Sequence, residues 1–411
     1  MKIRVPEREE VEKDDITVKR RNSKTHPVFI PTAQATLVTW SSPSLPAMQT
    51  NRVRRNRSTF YLPKDVVRDI LLRLPVKPLV RFRLVCKSWS ALLKSRDFTT
   101  THLSRSASHG CNHLLLVNTQ GVNSHTMALI SRKALDVAVP IETPEEACGP
   151  MGMVGSCNGL VCLYRDWWVY MFWNPATTEN RILPTPLIDN PTFRNKEIMR
   201  VSVGFGYHCN DYKMVRIVYC SDCADVEVYS TSRGCWRVIN SILPCESKQR
   251  TCSVILKGVP YWLGSASGKR FVLSFDMGKE VFRQVLVPSD PDPSYKSLGV
   301  FNGSLAIIYH PCPADLVSNF IDFWVMKDDE SWSKVVRIGP FSGMGFPLRC
   351  WEDGVVIWAQ GDYGRLLVYD PITKSIKRVP PMYWAPKICT TSVSSYIESL
   401  VSVNGRNTKH L

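Results

Sequence analysis

Five times between residues 172 and 374 an aromatic residue leads into a tight turn and a second strand. The runs are Phe172-Trp173-Asn174-Pro175-Ala176-Thr177, Tyr229-Ser230-Thr231-Ser232-Arg233-Gly234, Phe275-Asp276-Met277-Gly278-Lys279, Phe323-Trp324-Val325-Met326-Lys327-Asp328 and Tyr369-Asp370-Pro371-Ile372-Thr373-Lys374. The leading aromatics stand 57, 46, 48 and 46 residues apart. Upstream of most of them a strand opens on a small-residue turn, as at Asn158-Gly159, Lys257-Gly258, Asn302-Gly303 and Asp353-Gly354. A strand follows each of the last four, at Trp236, Phe282, Trp332 and Ile376. A four-stranded sheet of this length cannot bury both of its faces alone, so units of this period must stack on one another in a ring, a β-propeller. The earlier strands His113–Val117, Met127–Ile130 and Leu135–Val139 lack a fourth partner. Tyr396–Val403 is expected to supply it and close the ring at about six blades.

Composition agrees with many short strands and turns: 28 Pro and 22 Gly accompany 15 Phe, 12 Trp and 14 Tyr. No stretch approaches the 18 or so apolar residues of a spanning helix, so no membrane association is expected. The net charge is +16, but residues 104–411 hold 31 Lys and Arg against 27 Asp and Glu, interspersed. Counterion release needs clustered cations, so nucleic acid is not an expected partner. The 14 cysteines are scattered, and the chain shows no charged-then-apolar secretory start. Reduced thiols in the cytoplasm or nucleus are therefore expected. Cys220 and Cys223 form the one tight pair, with His208 and Cys209 upstream. A structural zinc wants two such pairs, so no metal is expected. Residues 1–58 read as a disordered basic leader, since Ile16 through Lys64 contains no acidic residue and is rich in Ser, Thr, Pro and Arg.

Between residues 61 and 103 the pattern changes to helices. After Leu62-Pro63, the residues Val66, Val67, Ile70, Leu71 and Leu74 recur at spacings of three and four until Pro75 stops the run. A second short helix carries Leu79, Val80 and Phe82, and a third carries Val85, Trp89, Leu92 and Leu93. Three short helices bury little surface on their own, so some of these apolar residues should be shared with a partner.

The run from Leu62-Pro63-x-Asp65 through Ile70-Leu71-x-Arg73-Leu74-Pro75-Val76-Lys77 to Phe82-Arg83-x-Val85-Cys86-Lys87-Ser88-Trp89 resembles the F-box, particularly its plant form. The resemblance implies a helix cluster that docks on the Skp-type adaptor of a cullin-RING ubiquitin ligase. It places Leu62, Pro63, Ile70, Leu71, Leu74, Pro75 and Val76 on the adaptor. Leu79, Val80, Phe82, Val85, Cys86 and Trp89 divide between adaptor contact and the motif's own core. Leu84 stands where many members have Cys, a substitution expected to be conservative in burial. Residues 104–411 resemble the kelch-like F-box-associated interaction domain of large plant families, including the defence-regulating and S-locus types. That likeness rests on Gly155-Ser156-Cys157-Asn158-Gly159-Leu160, Phe172–Thr177 and Tyr396-Ile397-Glu398-Ser399-Leu400-Val401.

The expected fold is thus α+β and multidomain: a leader over 1–58, a small three-helix F-box over 61–103, and a β-propeller of about six kelch-like blades over 104–411. No Gly-x-Ser-x-Gly elbow, His-Glu-x-x-His or phosphate-binding Gly loop is present, and the eight His are dispersed. No catalytic residue and no cofactor is expected. The resemblance implies a substrate-recognition subunit of a Skp-cullin-F-box ubiquitin ligase, with the adaptor, cullin and RING subunits and an unidentified target protein as partners. The alternative is a propeller scaffold whose F-box acts outside ubiquitin transfer. Binding faces of such rings are built from loops, and hot spots favour aromatics, which nominates Trp167, Trp168, Tyr207, His208, His310, Phe341 and Phe346 for target contact.

Overall fold

The computed structural model describes residues 62–404 apart from 109–112, 121–123, 132–137, 146–150, 166–167, 189–197, 222, 289–294, 311–319, 341–344, 351–354, 361–364, 371–372 and 380–390. The expected leader over 1–58 lies outside the described residues. Among those described, no helix is long and apolar enough to cross a membrane.

Four helices come first among the described residues, where three were expected: α1 (Lys64–Leu72), α2 (Val76–Phe82), α3 (Lys87–Lys94) and α4 (Arg96–Ser108). The helix α1 starts behind Pro63, whose extended backbone lets its carbonyl accept from Val67 N at 3.1 Å. Pro75, also extended, separates α1 from α2. Ser95 starts α4, its hydroxyl accepting from Phe98 N at 3.3 Å. The helix α4 escapes sequence reading because Thr99, Thr100, Thr101 and Ser104 hide its periodicity, and it runs through the expected boundary at 103. It nevertheless buries Phe98, Thr99 and His102, and His102 Nε2 meets the Leu74 carbonyl at 2.9 Å. The side chains of Leu71, Leu72, Val76, Leu79, Leu93 and Phe98 form the core of this unit, together with Leu400 from the far end of the chain.

Among the described residues, twenty-five strands then form six sheets. The first contains β1 (His113–Gln120), β2 (Ser124–Ser131) and β3 (Ala138–Ile141), and the second β4 (Gly152–Cys157), β5 (Leu160–Arg165), β6 (Val169–Trp173) and β7 (Asn180–Ile182). The third holds β8 (Ile198–His208), β9 (Asp211–Cys220), β10 (Ala224–Ser230) and β11 (Cys235–Ile239). In the fourth, β12 (Glu246–Ser247) and β13 (Val254–Leu256) both pair β14 (Val259–Ala266), followed by β15 (Lys269–Asp276) and β16 (Val281–Leu286). The fifth comprises β17 (Tyr295–Phe301), β18 (Ser304–His310), β19 (Ile321–Met326) and β20 (Trp332–Ile338). The sixth comprises β21 (Gly345–Cys350), β22 (Val356–Gln360), β23 (Arg365–Asp370) and β24 (Ser375–Arg378). The last strand, β25 (Thr391–Tyr396), returns to the first sheet and pairs β1. Inner strands of successive blades touch in turn round the ring, β4 with β8, β8 with β14, β13 with β17, β17 with β21, β21 with β25 and β25 with β4. This is the six-bladed propeller that the repeat predicts.

The repeated aromatic lies buried in the third strand: Phe172, Tyr229, Phe275 and Phe323 have no exposed surface. Across the outer hairpin it faces the next strand directly, Tyr229 opposite Trp236 at 5.6 Å between rings and Phe275 opposite Phe282 at 4.8 Å. The Asn-Gly turns at 158–159 and 302–303 have positive φ at both residues, the left-handed pair that a two-residue hairpin of this twist requires. The Asp353-Gly354 turn lies outside the described residues.

Closure occurs as expected, by a C-terminal strand, but the strand is Thr391–Tyr396 and not Tyr396–Val403. The segment after Tyr396 becomes a strap instead. Asn174 is fully buried in the β6–β7 turn; its carbonyl oxygen accepts from Ala176 N at 3.0 Å, and its amide donates to Ser399 O at 3.0 Å and Val401 O at 2.7 Å. An Asp there would close the turn, as Asp276 does for the amides of Gly278 and Lys279, but would have no donor for the strap. Ser399 Oγ donates to Asn158 O at 2.8 Å, and a Cβ on Gly159 would fall 2.2 Å from that hydroxyl. Strap residue Leu400 enters the helical core while Val403 enters the propeller core.

Between the second and third blades Arg216 and Glu227, both wholly buried, pair directly across β9 and β10. Arg216 Nε donates to Tyr170 Oη at 3.1 Å, and Glu227 Oε2 accepts from Leu187 N at 2.8 Å and Ile188 N at 3.3 Å. Burial pushes the Glu227 carboxyl up and the Arg216 charge opposes it.

Three changes test this architecture. Replacing Arg216 by Leu leaves a buried carboxylate without its cation and should cost about 3–5 kcal/mol, read as a fall in the denaturant midpoint. Ending the chain after Thr390 removes β25 and should give an aggregating protein on size exclusion. Leu400→Ala keeps the ring closed and should lower stability by about 2–5 kcal/mol while speeding proteolysis within residues 62–108. Equal solubility of the Thr390 truncation and the intact chain would contradict closure by β25.

Candidate functional site

The antiparallel order of strands assigns every connection to one of the two ends of the ring. Turns between first and second, and between third and fourth, strands of a blade lie at one end; all other connections lie at the opposite end. The helical unit occupies the first end. Its core takes Leu400 and packs on Ala176 of the β6–β7 turn, and Arg83 Nη1 lies 3.5 Å from the Glu179 carboxylate of the same turn. The far end carries no other described element.

On the helical unit the outward apolar residues divide into two groups. Leu62, Val66 and Ile70 recur every four residues at and along α1 and are 59%, 44% and 46% exposed. Leu84 and Val85, in the turn after α2, are 88% and 61% exposed. Pro63, Pro75 and Cys86 are exposed as well, whereas Leu74, Val80, Phe82 and Trp89 are half-buried, with Phe82 and Trp89 edge to face at 5.5 Å. Three expectations need correction. Leu71 and Val76, expected to face a partner, are buried in the unit's own core, where Leu79 also lies. The periodicity of α1 does not distinguish its two apolar stripes; only packing against α4, fastened by Arg68 to Asp97 at 2.6 Å, turns Leu71 inward and Ile70 outward. Leu84 is no buried replacement but a prominent surface residue, and Val66 joins the outward stripe unforeseen.

The nominated target-contact residues separate. Tyr207 and His208 end β8 beside the β8–β9 turn, at the end occupied by the helices. Tyr207 Oη donates to Asn210 Oδ1 at 2.9 Å; burial raises its phenol, and a backbone hydrogen bond at Asn210 and the charge of Arg96 on α4 oppose the shift. His208 lies over Gly278, where a Cβ would come 2.7 Å from the ring. Trp168 stands at the far end in the β5–β6 turn, 44% exposed. His310 is buried and meets Ser297 Oγ at 3.2 Å; pairing across β17 and β18 takes it out of any binding face. Phe346 belongs to strand β21 and not to a loop. Trp167 and Phe341 lie outside the described residues.

Sequence reading missed the other exposed apolar residues at the far end. Leu187 follows β7, Ile242 follows β11 and Phe320 precedes β19, under the Arg337 guanidinium at 5.4 Å. Met199 is the unpaired residue where the register of β8 shifts between Ile198 and Arg200, and the bulge throws its side chain outward. No spacing rule marks a bulge or a loop tip in advance. With Trp168 these residues give the far end a discontinuous apolar rim suited to protein contact.

Comparison with known proteins follows the same division. Residues 60–101 match the F-box domain family, and residues 113–403 match the F-box associated beta propeller domain family. F-box protein CPR1 of Arabidopsis thaliana is 28% identical over 310 residues, 67% of this chain and 73% of that protein. F-box/kelch-repeat protein At3g23880 of the same plant is 27% identical over 321 residues, 73% and 85% of the two chains. Among solved structures, TolB from Acinetobacter baumannii aligns with a TM-score of 0.44 and 10% identity over 73% of this chain and 72% of its own. With the F-box family matching the helical unit and the propeller family matching the ring, the chain belongs to the F-box proteins that carry an F-box associated beta-propeller domain.

Proposed function

We propose that this chain is the target-recognition subunit of a Skp-cullin-F-box ubiquitin ligase acting in the cytoplasm or nucleus. The observation that carries the reading is that the F-box match falls on a unit with two exposed apolar groups, Leu62-Val66-Ile70 and Leu84-Val85, fixed to one end of a ring whose other end carries no further helical unit among the described residues. Exposed apolar residues grouped on so small a unit fit a docking face, and the Skp-type adaptor is the partner an F-box implies. The ring then holds the target at its far end through the rim of Trp168, Leu187, Met199, Ile242 and Phe320. No side chain of this chain takes part in bond making. It contributes proximity: the strap from Tyr396 to Val403 ties the target-holding ring to the adaptor-holding helices, so a bound target is presented at a restricted distance and orientation to the conjugating machinery.

The docking face can be tested without unfolding the chain. Leu62→Asp with Ile70→Asp alters exposed positions only, and should abolish co-elution with a Skp-type adaptor while leaving the melting temperature within a few degrees of the wild type. Leu71→Asp buries an unpaired carboxylate and should unfold the helical unit instead. Co-elution of the double variant at wild-type affinity would remove α1 from the interface.

In cells the same double variant retains the whole ring and should bind target without delivering it. Proteins captured by affinity purification under proteasome inhibition should be the same for variant and wild type, apart from adaptor and cullin. Their half-lives should lengthen when the variant is overexpressed. Shortened half-lives with the variant would contradict the ligase reading.

A further inference from the structure

We propose that the tip of the β9–β10 hairpin is a binding site for one thiophilic divalent cation, zinc by its chemistry, held by Cys220, Cys223 and Asp225. The inference is independent of the ligase reading. Cys220 N donates to Cys223 O at 2.8 Å, so the two cysteines oppose each other across the turn. Opposed residues of a hairpin project from the same face, and alternation along β10 returns Asp225 to the face of Cys223. The two sulfurs and a carboxylate oxygen accordingly all lie within 4.8 Å of one another, with Cys223 Sγ 4.0 Å from Asp225 Oδ2. Ligands that share one tetrahedral zinc, with bonds of about 2.3 Å to sulfur and 2.0 Å to oxygen, stand roughly 3.5–4 Å apart. Small rotamer changes bring the three donors to that spacing.

Donor chemistry chooses the ion. Two thiolates select a soft or borderline cation and disfavour magnesium and calcium, which take oxygen ligands. On loading, the two thiols give up their protons to solvent and the carboxylate binds as the anion, which leaves a fourth position for water or for a ligand from another molecule. Both cysteines are partly exposed, so the ion has an entry path. The pair His208 and Cys209 does not complete the set. It sits at the opposite end of the β8–β9 hairpin, about 30 Å away along β9 at roughly 3.3 Å per residue. The hairpin tip belongs to the far end of the ring, where Met199 also projects, so a loaded ion would add a polar, ligand-accepting point to the apolar rim.

Cobalt(II) serves as the probe, because thiolate coordination gives it a charge-transfer absorption that oxygen ligation does not. The reduced full-length chain should bind one equivalent with that band, and zinc should displace it. Asp225→Asn, nearly isosteric, should weaken binding about tenfold or more, and Cys220→Ser with Cys223→Ser should abolish the band. Cys209→Ser and Cys235→Ser, exposed single cysteines at the other end of the same blade, should bind as the wild type does. Circular dichroism and size exclusion confirm that each variant is folded. The site is wrong if the folded wild type shows no band, if the band survives the double serine variant, or if Asp225→Asn binds with unchanged affinity.

Discussion

The pairing of β25 with β1 is the contact on which the rest of the molecule depends. A ring of stacked sheets has no free edge between blades until the seam, and here the seam blade is assembled from both ends of the propeller, three strands from its start and one from its finish. Leu114 opposite Ser395 and Leu116 opposite Val393 join residues nearly 280 apart in sequence, so nothing closes until almost the whole chain has been made. Non-local closure of this kind is slow to form and, once formed, cooperative.

Closure alone would leave the helices on a tether. The strap that continues from β25 removes that freedom by using side chains with two obligations each. Asn174 closes its own turn with one atom and holds the strap with another; Gly159 both permits the left-handed turn and makes room for Ser399; Leu400 is a propeller-domain residue in the helical core. Each bond is worth about a kilocalorie, but the groups are buried, and leaving any of them unpaired costs more than the bond contributes. The strap thus converts a closed ring into a ring with helices fixed at one end.

Two ends with different surfaces follow from this arrangement. Near the helices, Tyr207 and His208 are occupied with turn contacts, Tyr207 to Asn210 and His208 over Gly278. Away from them the rim residues and the Cys220-Cys223-Asp225 tip face outward. Aromaticity alone does not identify the binding end: Tyr207 at the end of β8 and Trp168 in the β5–β6 turn are both aromatic, and the parity of strands from the seam puts them on opposite ends.

The sequence carried the architecture because the repeat is periodic and local. Aromatics that lead into tight turns at intervals of 46 to 57 residues, Asn-Gly turns between strands and the proline-punctuated apolar run after Leu62 are each recognised from a few neighbouring positions, and from them the six blades, the closure from the C-terminus and the helical unit are all legible. Helix α4 was not, since its hydroxyl-rich surface hides the few positions that are buried. Which stripe of α1 faces outward was not either: Ile70 and Leu71 are adjacent and equally apolar, and only the position of α4 separates them. His310 looked like a loop histidine until β18 paired with β17 and buried it. The strap, the two ends of the ring and the grouping of Asp225 with two cysteines arise from contacts or from strand order that a linear pattern does not encode. Period and turn chemistry are properties of neighbours along the chain, so sequence alone determines them; exposure is a property of what packs against a residue from elsewhere, and only the tertiary structure decides it.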